Sequence, residues 1–184
     1  MFKLLIPFLA AFTVITCEPK FPLSQVDFDV KTFERERKAW LSQGIAGYSY
    51  KIMYETAGTG PDYIRAQVTV SDDAVADIEN LKPDADYLPP NYNDIVTDYI
   101  MYQGGTISGI YEHIYAWYNE NAKKLGDKQQ LYCKMEYNKQ HHYPEYIRYG
   151  ISTYHYTGNN TWTALIGGGE TTLELSDFQE NEEE

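Results

Sequence analysis

Apolar and polar positions alternate along this chain with two different periods, and the change from one to the other marks its elements. Val30, Phe33, Arg37, Trp40, Leu41 and Gly44 fall at helical spacing, with Asp29 placed to cap the start and Gly44 to stop the run. From Tyr48 to Tyr54 the period changes to two: Tyr48, Tyr50, Ile52 and Tyr54 alternate with Ser49, Lys51, Met53 and Glu55, as in a half-buried strand. After a glycine-rich turn the same alternation returns with Ile64, Ala66, Val68 and Val70, then Asp72-Asp73 turns the chain into Ala74–Ile78. Short connections between these runs predict a three-strand antiparallel meander.

A second helical stripe is formed by Ile107, Ile110, Ile114, Trp117, Tyr118 and Leu125, with Gly126 as its stop. The stretch from Gln130 to Ile166 then carries strand patterns at Leu131–Tyr137, Tyr146–Tyr156 and Thr161–Ile166. Turns are expected at Asn138–Pro144 and Gly158-Asn159-Asn160, and a last strand at Thr171–Leu175 follows Gly167-Gly168-Gly169. Between the halves, Leu81–Gly105 is irregular and proline-rich, with room for a short helix or an edge strand inside Ile95–Tyr102.

The predicted fold class is α+β: an antiparallel β-sheet with two helices packed on one face. The halves can also be read as two tandem helix-plus-meander units, because Pro61-Asp62-Tyr63-Ile64-Arg65 is echoed by Pro144-Glu145-Tyr146-Ile147-Arg148. The expected organisation is a leader over residues 1–16, a lipidated N-terminus and tether over 17–28, and an α+β domain over 29–176. Within the domain, halves 29–81 and 106–176 are joined by loop 82–105, and residues 177–184 are expected to be a disordered acidic tail.

The first residues place the chain. Lys3 is followed by an apolar run from Leu4 to Ile15, too short to span a bilayer and interrupted by Pro7, which is the layout of a secretory signal. Val14-Ile15-Thr16-Cys17 resembles a bacterial lipobox, which implies cleavage before Cys17 and acylation of its thiol. The membrane is then a partner through the N-terminal lipid. An incidental cysteine beside an ordinary cleavage site is the alternative. With Cys17 acylated, Cys133 is the only other thiol and no intramolecular disulfide forms. Its place in an alternating strand makes Cys133 a buried, inert thiol rather than a nucleophile.

The formal net charge is −12, and the leader carries one Lys and no acid, so the mature chain stands at −13. Nucleic acid and anionic lipid headgroups are therefore poor partners. Candidate chemistry is sparse. His113, His141, His142 and His155 show no ligand spacing, although sheet neighbours could bring His142 and His155 together. Asp84 and Asp86 begin a calcium-loop pattern that Leu88 and Pro89 break, so no metal or cofactor is assigned. Glu112, Glu120 and Glu136 could border a cleft, but there is no nucleophile elbow, phosphate loop or dinucleotide fingerprint.

The 18 tyrosines are the compositional oddity. In strands they serve packing, but on a face without helices they make an amphipathic recognition surface. Alternation puts Tyr146, Tyr154 and Tyr156 on one face and Tyr149 on the other, so these three are the candidate ligand-binding residues. The expected role is non-enzymatic binding of another envelope protein or a glycan through this aromatic face or through the Leu81–Gly105 loop; a small envelope enzyme and an inhibitor of a periplasmic hydrolase are the alternatives.

Several blocks together resemble an uncharacterised family of bacterial lipoproteins: the lipobox-like leader, the helix bearing Trp40, Tyr48-Ser49-Tyr50, Thr106–Ile114, and Met135–Asn138 with Tyr143–Ile147. In that family the last block is a strand ending in Tyr-Asp, a turn, and a Gly-Tyr-Pro. Here Asn138 stands for the acid and His142 for the glycine. Many members carry a Cys-x-Cys in the first hairpin, which this chain lacks between Tyr54 and Ile64. The resemblance implies location and fold, not mechanism. The helix-then-strands order is also similar in outline to the secreted β-lactamase-inhibitor fold, and a fold does not fix a function.

Overall fold

A computed structural model describes residues 20–56, 64–81, 90–159, 161–165 and 169–181. Its elements in chain order are β1 (Val26–Phe28), α1 (Val30–Gln43), β2 (Tyr48–Thr56), β3 (Ile64–Ser71), β4 (Ala74–Asn80), α2 (Tyr92–Tyr102), α3 (Ile107–Asn121), β5 (Gln129–Tyr137), β6 (Pro144–Gly158), β7 (Thr161–Leu165) and β8 (Thr171–Glu180). The fold is α+β. One sheet runs in the order β1-β5-β6-β8-β2-β3-β4, with β7 pairing β6, and all its pairs are antiparallel except β1 with β5.

The helix ends follow local chemistry. Asp29 caps α1 by accepting from the Thr32 amide at 3.1 Å, and Gly44 closes it at φ +67°. Thr106 caps α3 through its hydroxyl, which accepts from the Gly109 amide at 2.9 Å. Asp72 and Asp73 both sit at positive φ between β3 and β4, as the two-residue hairpin predicted there requires.

All three helices cover the same face of the sheet. Trp40 of α1 meets Tyr48 edge-on, Tyr99 of α2 lies against Tyr54, and Trp117 of α3 meets Tyr149. On that face Met135, Ile147, Leu173, Tyr54 and Ile64 are successive cross-strand partners from β5 to β3. Most of this row is buried, with Ile147, Leu173 and Ile64 fully so. Tyrosines are tolerated in so dry a layer because their hydroxyls find partners. Tyr50 donates to the Gly105 carbonyl at 2.7 Å, and Tyr48 accepts from the Ile107 amide at 2.9 Å, satisfying a donor at the start of α3.

The two halves meet where β8 pairs β2, so they share one continuous sheet. The repeated Ile-Arg pairs occupy equivalent places: Ile64 pairs Tyr54 and Ile147 pairs Met135 on the covered face, while Arg65 pairs Met53 and Arg148 pairs Lys134 on the open one.

Four boundaries differ from the sequence expectation. A third helix, α2, occupies residues 92–102 of the connecting segment, which takes the helical alternative to an edge strand and begins three residues earlier than expected, because Tyr92, Val96 and Ile100 form a short buried stripe between turn residues. The expected tether supplies β1, whose Val26 and Phe28 sit opposite Leu131 and Cys133. The expected tail is in part the end of β8: Tyr48 pairs Glu180, and Phe178 packs against Trp40, Tyr48 and Tyr143. Asp177 at φ +52° hides this continuation from a period-two reading, because the irregularity shifts the alternation by one residue. Finally, α3 ends at Asn121, so Leu125 and Gly126 belong to the turn into β5. Cys17, Asp84, Asp86, Leu88, Pro89 and Pro61–Tyr63 lie outside the described residues.

Candidate functional site

With the helices on one face, residues of opposite parity line the other. Across it the pairings set Glu136 beside Tyr146, Tyr146 beside Glu174, Glu174 beside Met53 and Met53 beside Arg65. Five strands thus present one row, about 19 Å wide at the usual interstrand spacing. Around this row lies a groove of about 500 Å³ whose walls include Lys51, Leu81, Glu145 and Ser176. Lys51 pairs with Asp177 at 2.7 Å, and Glu145 accepts from the Asn138 amide group at 2.8 Å, which fixes the carboxylate at the rim. The lining therefore joins an aromatic, two aliphatic side chains and charges of both signs, with acids in excess.

Of the three candidate tyrosines, Tyr146 lies in this groove. Tyr154 and Tyr156 are on the same face, but eight and ten residues further along β6, so Tyr154 stands about 26 Å away. They belong to a different cluster. Phe21 packs on Tyr154 and Trp162 with ring centroids 5.1 and 5.2 Å apart, and Tyr156 packs on Trp162 at 5.5 Å. The two groups are separated by Tyr132, which lies across Gly150 so closely that a Cβ there would come within 2.8 Å of its hydroxyl. Tyr132 donates to Glu170 at 2.7 Å and Arg148 does so at 2.8 Å. The Arg148 bond holds the Glu170 carboxyl below its ordinary range, while burial pushes the Tyr132 hydroxyl up. Three tyrosines of one parity thus divide into a groove residue and an end cluster, a division that strand alternation does not encode.

Tyr149 is on the covered face, in a small polar network. Its hydroxyl donates to buried Gln103 at 2.9 Å and lies 3.2 Å from His113 Nε2. Burial raises the Tyr149 hydroxyl to about 12 and lowers His113, so both are neutral near pH 7. Cys133 is also buried, and its thiol is pushed up to about 12.

The remaining histidines are separated. His142 occupies the turn before β6 at φ +60° and bonds Glu36, whereas His155 is exposed far along β6 opposite Thr163. Among the described residues no three His, Cys, Asp or Glu side chains converge as a metal site would require. Glu112 pairs with Arg37, Glu120 with Lys124, and Glu136 lies in the groove, so these three acids do not form one cleft.

Asn138 shapes the turn before β6. Its side-chain oxygen accepts from the amides of Gln140 and His141 at 3.0 and 2.9 Å, which an aspartate would do equally well. No described helix is long and apolar enough to cross a membrane. Comparison of the chain with protein-family models, with curated proteins and with solved structures returned no match, leaving the geometry of the open face as the guide to what the chain binds.

Proposed function

We propose that this chain is a lipid-anchored binding module of a bacterial cell envelope, tethered through Cys17 and holding a polypeptide segment or glycan strand of the envelope in the groove around Tyr146. The observation that carries the reading is the segregation of the sheet: among the described residues every helix lies on one face, and the other presents a five-strand groove of about 500 Å³. A groove of that size suits a ligand rather than a bare protein surface. Its lining suits an extended polar ligand, because tyrosine and methionine offer flat contact area while Arg65, Glu136 and Glu174 offer hydrogen bonds on either side. Among the described lining residues none forms a nucleophile paired with a base, so binding without chemistry is the simpler role.

Site-specific photocrosslinking in living cells tests it. A photoreactive phenylalanine analogue at Met53 should give a discrete adduct that Tyr146→Ala removes. The same probe at exposed Lys123, on the turn after α3, should not give it. Identical adducts from both positions, or an adduct unaffected by Tyr146→Ala, would sink the groove reading. Intact mass of the protein extracted from membranes tests the anchor separately, since acylation adds a diacylglyceryl mass at Cys17.

A further inference from the structure

The aromatic cluster at the far end of the open face is left unused by the groove, and its position relative to the N-terminus gives it an occupant. Phe21, Tyr154, Tyr156 and Trp162 pack together there. Lys128 lies 5.6 Å from the centre of the Trp162 ring, and Leu23 is 43% exposed. Beside them is an open cleft of about 460 Å³ bordered by Lys20, Phe21, Leu23, Asp127, Lys128 and Trp162. We infer that this end of the sheet is a second membrane contact that seats Trp162 and Phe21 in the headgroup layer of the bilayer that holds the acylated N-terminus. The inference rests on the lipid anchor proposed above.

Chain length makes the argument. Only two residues separate Cys17 from Lys20, so a fully extended chain spans at most about 11 Å between them. The headgroup layer of one leaflet is itself about 5–8 Å thick. A cysteine acylated at the membrane therefore brings Lys20 and Phe21 to the headgroups whatever path the short segment takes. Composition fits that depth. Tryptophan and tyrosine favour the interface, where an apolar ring and a polar edge are both satisfied, and lysine extends an aliphatic stem toward phosphate. Among the described residues, Lys20 and Lys128 border the cleft with one acid, Asp127, although the chain as a whole is strongly acidic. The strong contact supports the weak one: once the lipid holds the chain, docking of the patch is intramolecular and the local concentration of bilayer is high. One consequence is orientation. Tyr146 lies about 26 Å along β6 from Tyr154, which sets the groove away from the membrane and open to the aqueous compartment.

The test uses the full chain isolated from cell membranes in detergent and reconstituted into phosphatidylcholine vesicles brominated on the acyl chains near the glycerol. Bromine quenches only tryptophans close to that depth. The chain has three tryptophans, of which Trp40 is buried in the core. Quenching should be seen in the natural chain and lost in Trp162→Phe, a change that keeps the aromatic packing. Far-ultraviolet circular dichroism checks the fold of the variant. Equal quenching of both chains, or none in either, with the acyl mass present at Cys17, overturns the docking and leaves the anchor standing. A mass without the acyl group overturns the anchor and the docking with it, so the two failures are told apart on one sample.

Discussion

His142 Nδ1 lies 2.7 Å from Glu36 Oε2 while the His142 backbone is held at φ +60°, a left-handed conformation that side chains other than glycine rarely adopt. The contact ties the turn before β6 to α1, and Arg35 binds the other carboxylate oxygen at 2.7 Å. Glycine is the residue that this backbone alone would choose. His142→Ala should therefore cost about 1–2 kcal/mol, since it keeps the strain and loses the bond. His142→Gly should cost about 1 kcal/mol less than alanine because it relieves the strain. Urea denaturation of both variants checks the order, and an equal loss would refute the account.

The same contact has a pH signature. Burial works against the Glu36 charge, but hydrogen bonds from Arg35 and His142 outweigh it and leave the carboxyl below the ordinary glutamate value of 4.5. A group depressed in the folded state stabilises the fold above its unfolded pKa and loses that contribution as pH falls through the native one. Glu36→Gln should therefore flatten the decline in stability below about pH 5, the region where unfolded glutamate begins to bind protons. Thermal melts across that range give the comparison, and parallel curves would count against it.

Phe178 should behave as a core residue despite lying in what reads as an acidic tail. Its ring is within 5.9 Å of Trp40, 5.5 Å of Tyr48, 5.0 Å of His141 and 4.9 Å of Tyr143, centre to centre. Phe178→Ala should cost about 2–4 kcal/mol, somewhat less than a fully buried phenylalanine because the ring is only half-buried. Stopping the chain after Ser176 should cost at least as much. Denaturant midpoints of the two variants decide whether the strand or only a solvated tail is lost.

Gly109 should not accept a methyl group. A Cβ there would stand 2.1 Å from the Gly104 carbonyl oxygen, and Gly104 is itself at φ +107°, so backbone meets backbone where α2 turns into α3. Alanine favours a helix interior by about 1 kcal/mol, and here the clash should reverse the sign and leave a net loss of about 1–3 kcal/mol. A stabilised Gly109→Ala variant would show that the turn is looser than described.

Cys133 should resist thiol reagents in the folded chain. With its thiol pushed up to about 12, the thiolate is about one part in ten thousand at pH 8. Maleimide labelling of a Cys17→Ser variant should be negligible until denaturant is added. Prompt labelling in buffer would contradict the burial.

The elements that could be read from sequence are those whose side chains repeat their environment locally. Asp29 and Gly44 bound α1, and the alternation of Tyr48 to Tyr54 and of Ile64 to Val70 gives β2 and β3, because each residue's face follows from its neighbours two positions away. The division of Tyr146 and Tyr149 between opposite faces follows in the same way. Neither the groove nor the end cluster could be read, since each joins residues from strands distant in sequence. Glu136, Tyr146, Glu174, Met53 and Arg65 become a row only when β8 lies between β6 and β2.

By itself, then, the sequence determined the helix and strand periods, the hairpin turns, the α+β class and the parity of the tyrosines, all of which depend on contacts between near neighbours. Tertiary structure alone decided that Val26–Phe28 and Asp177–Glu180 join the sheet, that Tyr92–Tyr102 is a helix and not an edge strand, and that Tyr146 stands apart from Tyr154 and Tyr156. The strand segments are too short or too irregular to declare a period, and their stability comes from partners supplied across the sheet, such as Cys133 for Phe28 and Tyr48 for Glu180. The helix has only a short stripe, Tyr92, Val96 and Ile100, which is buried once α2 packs on the sheet.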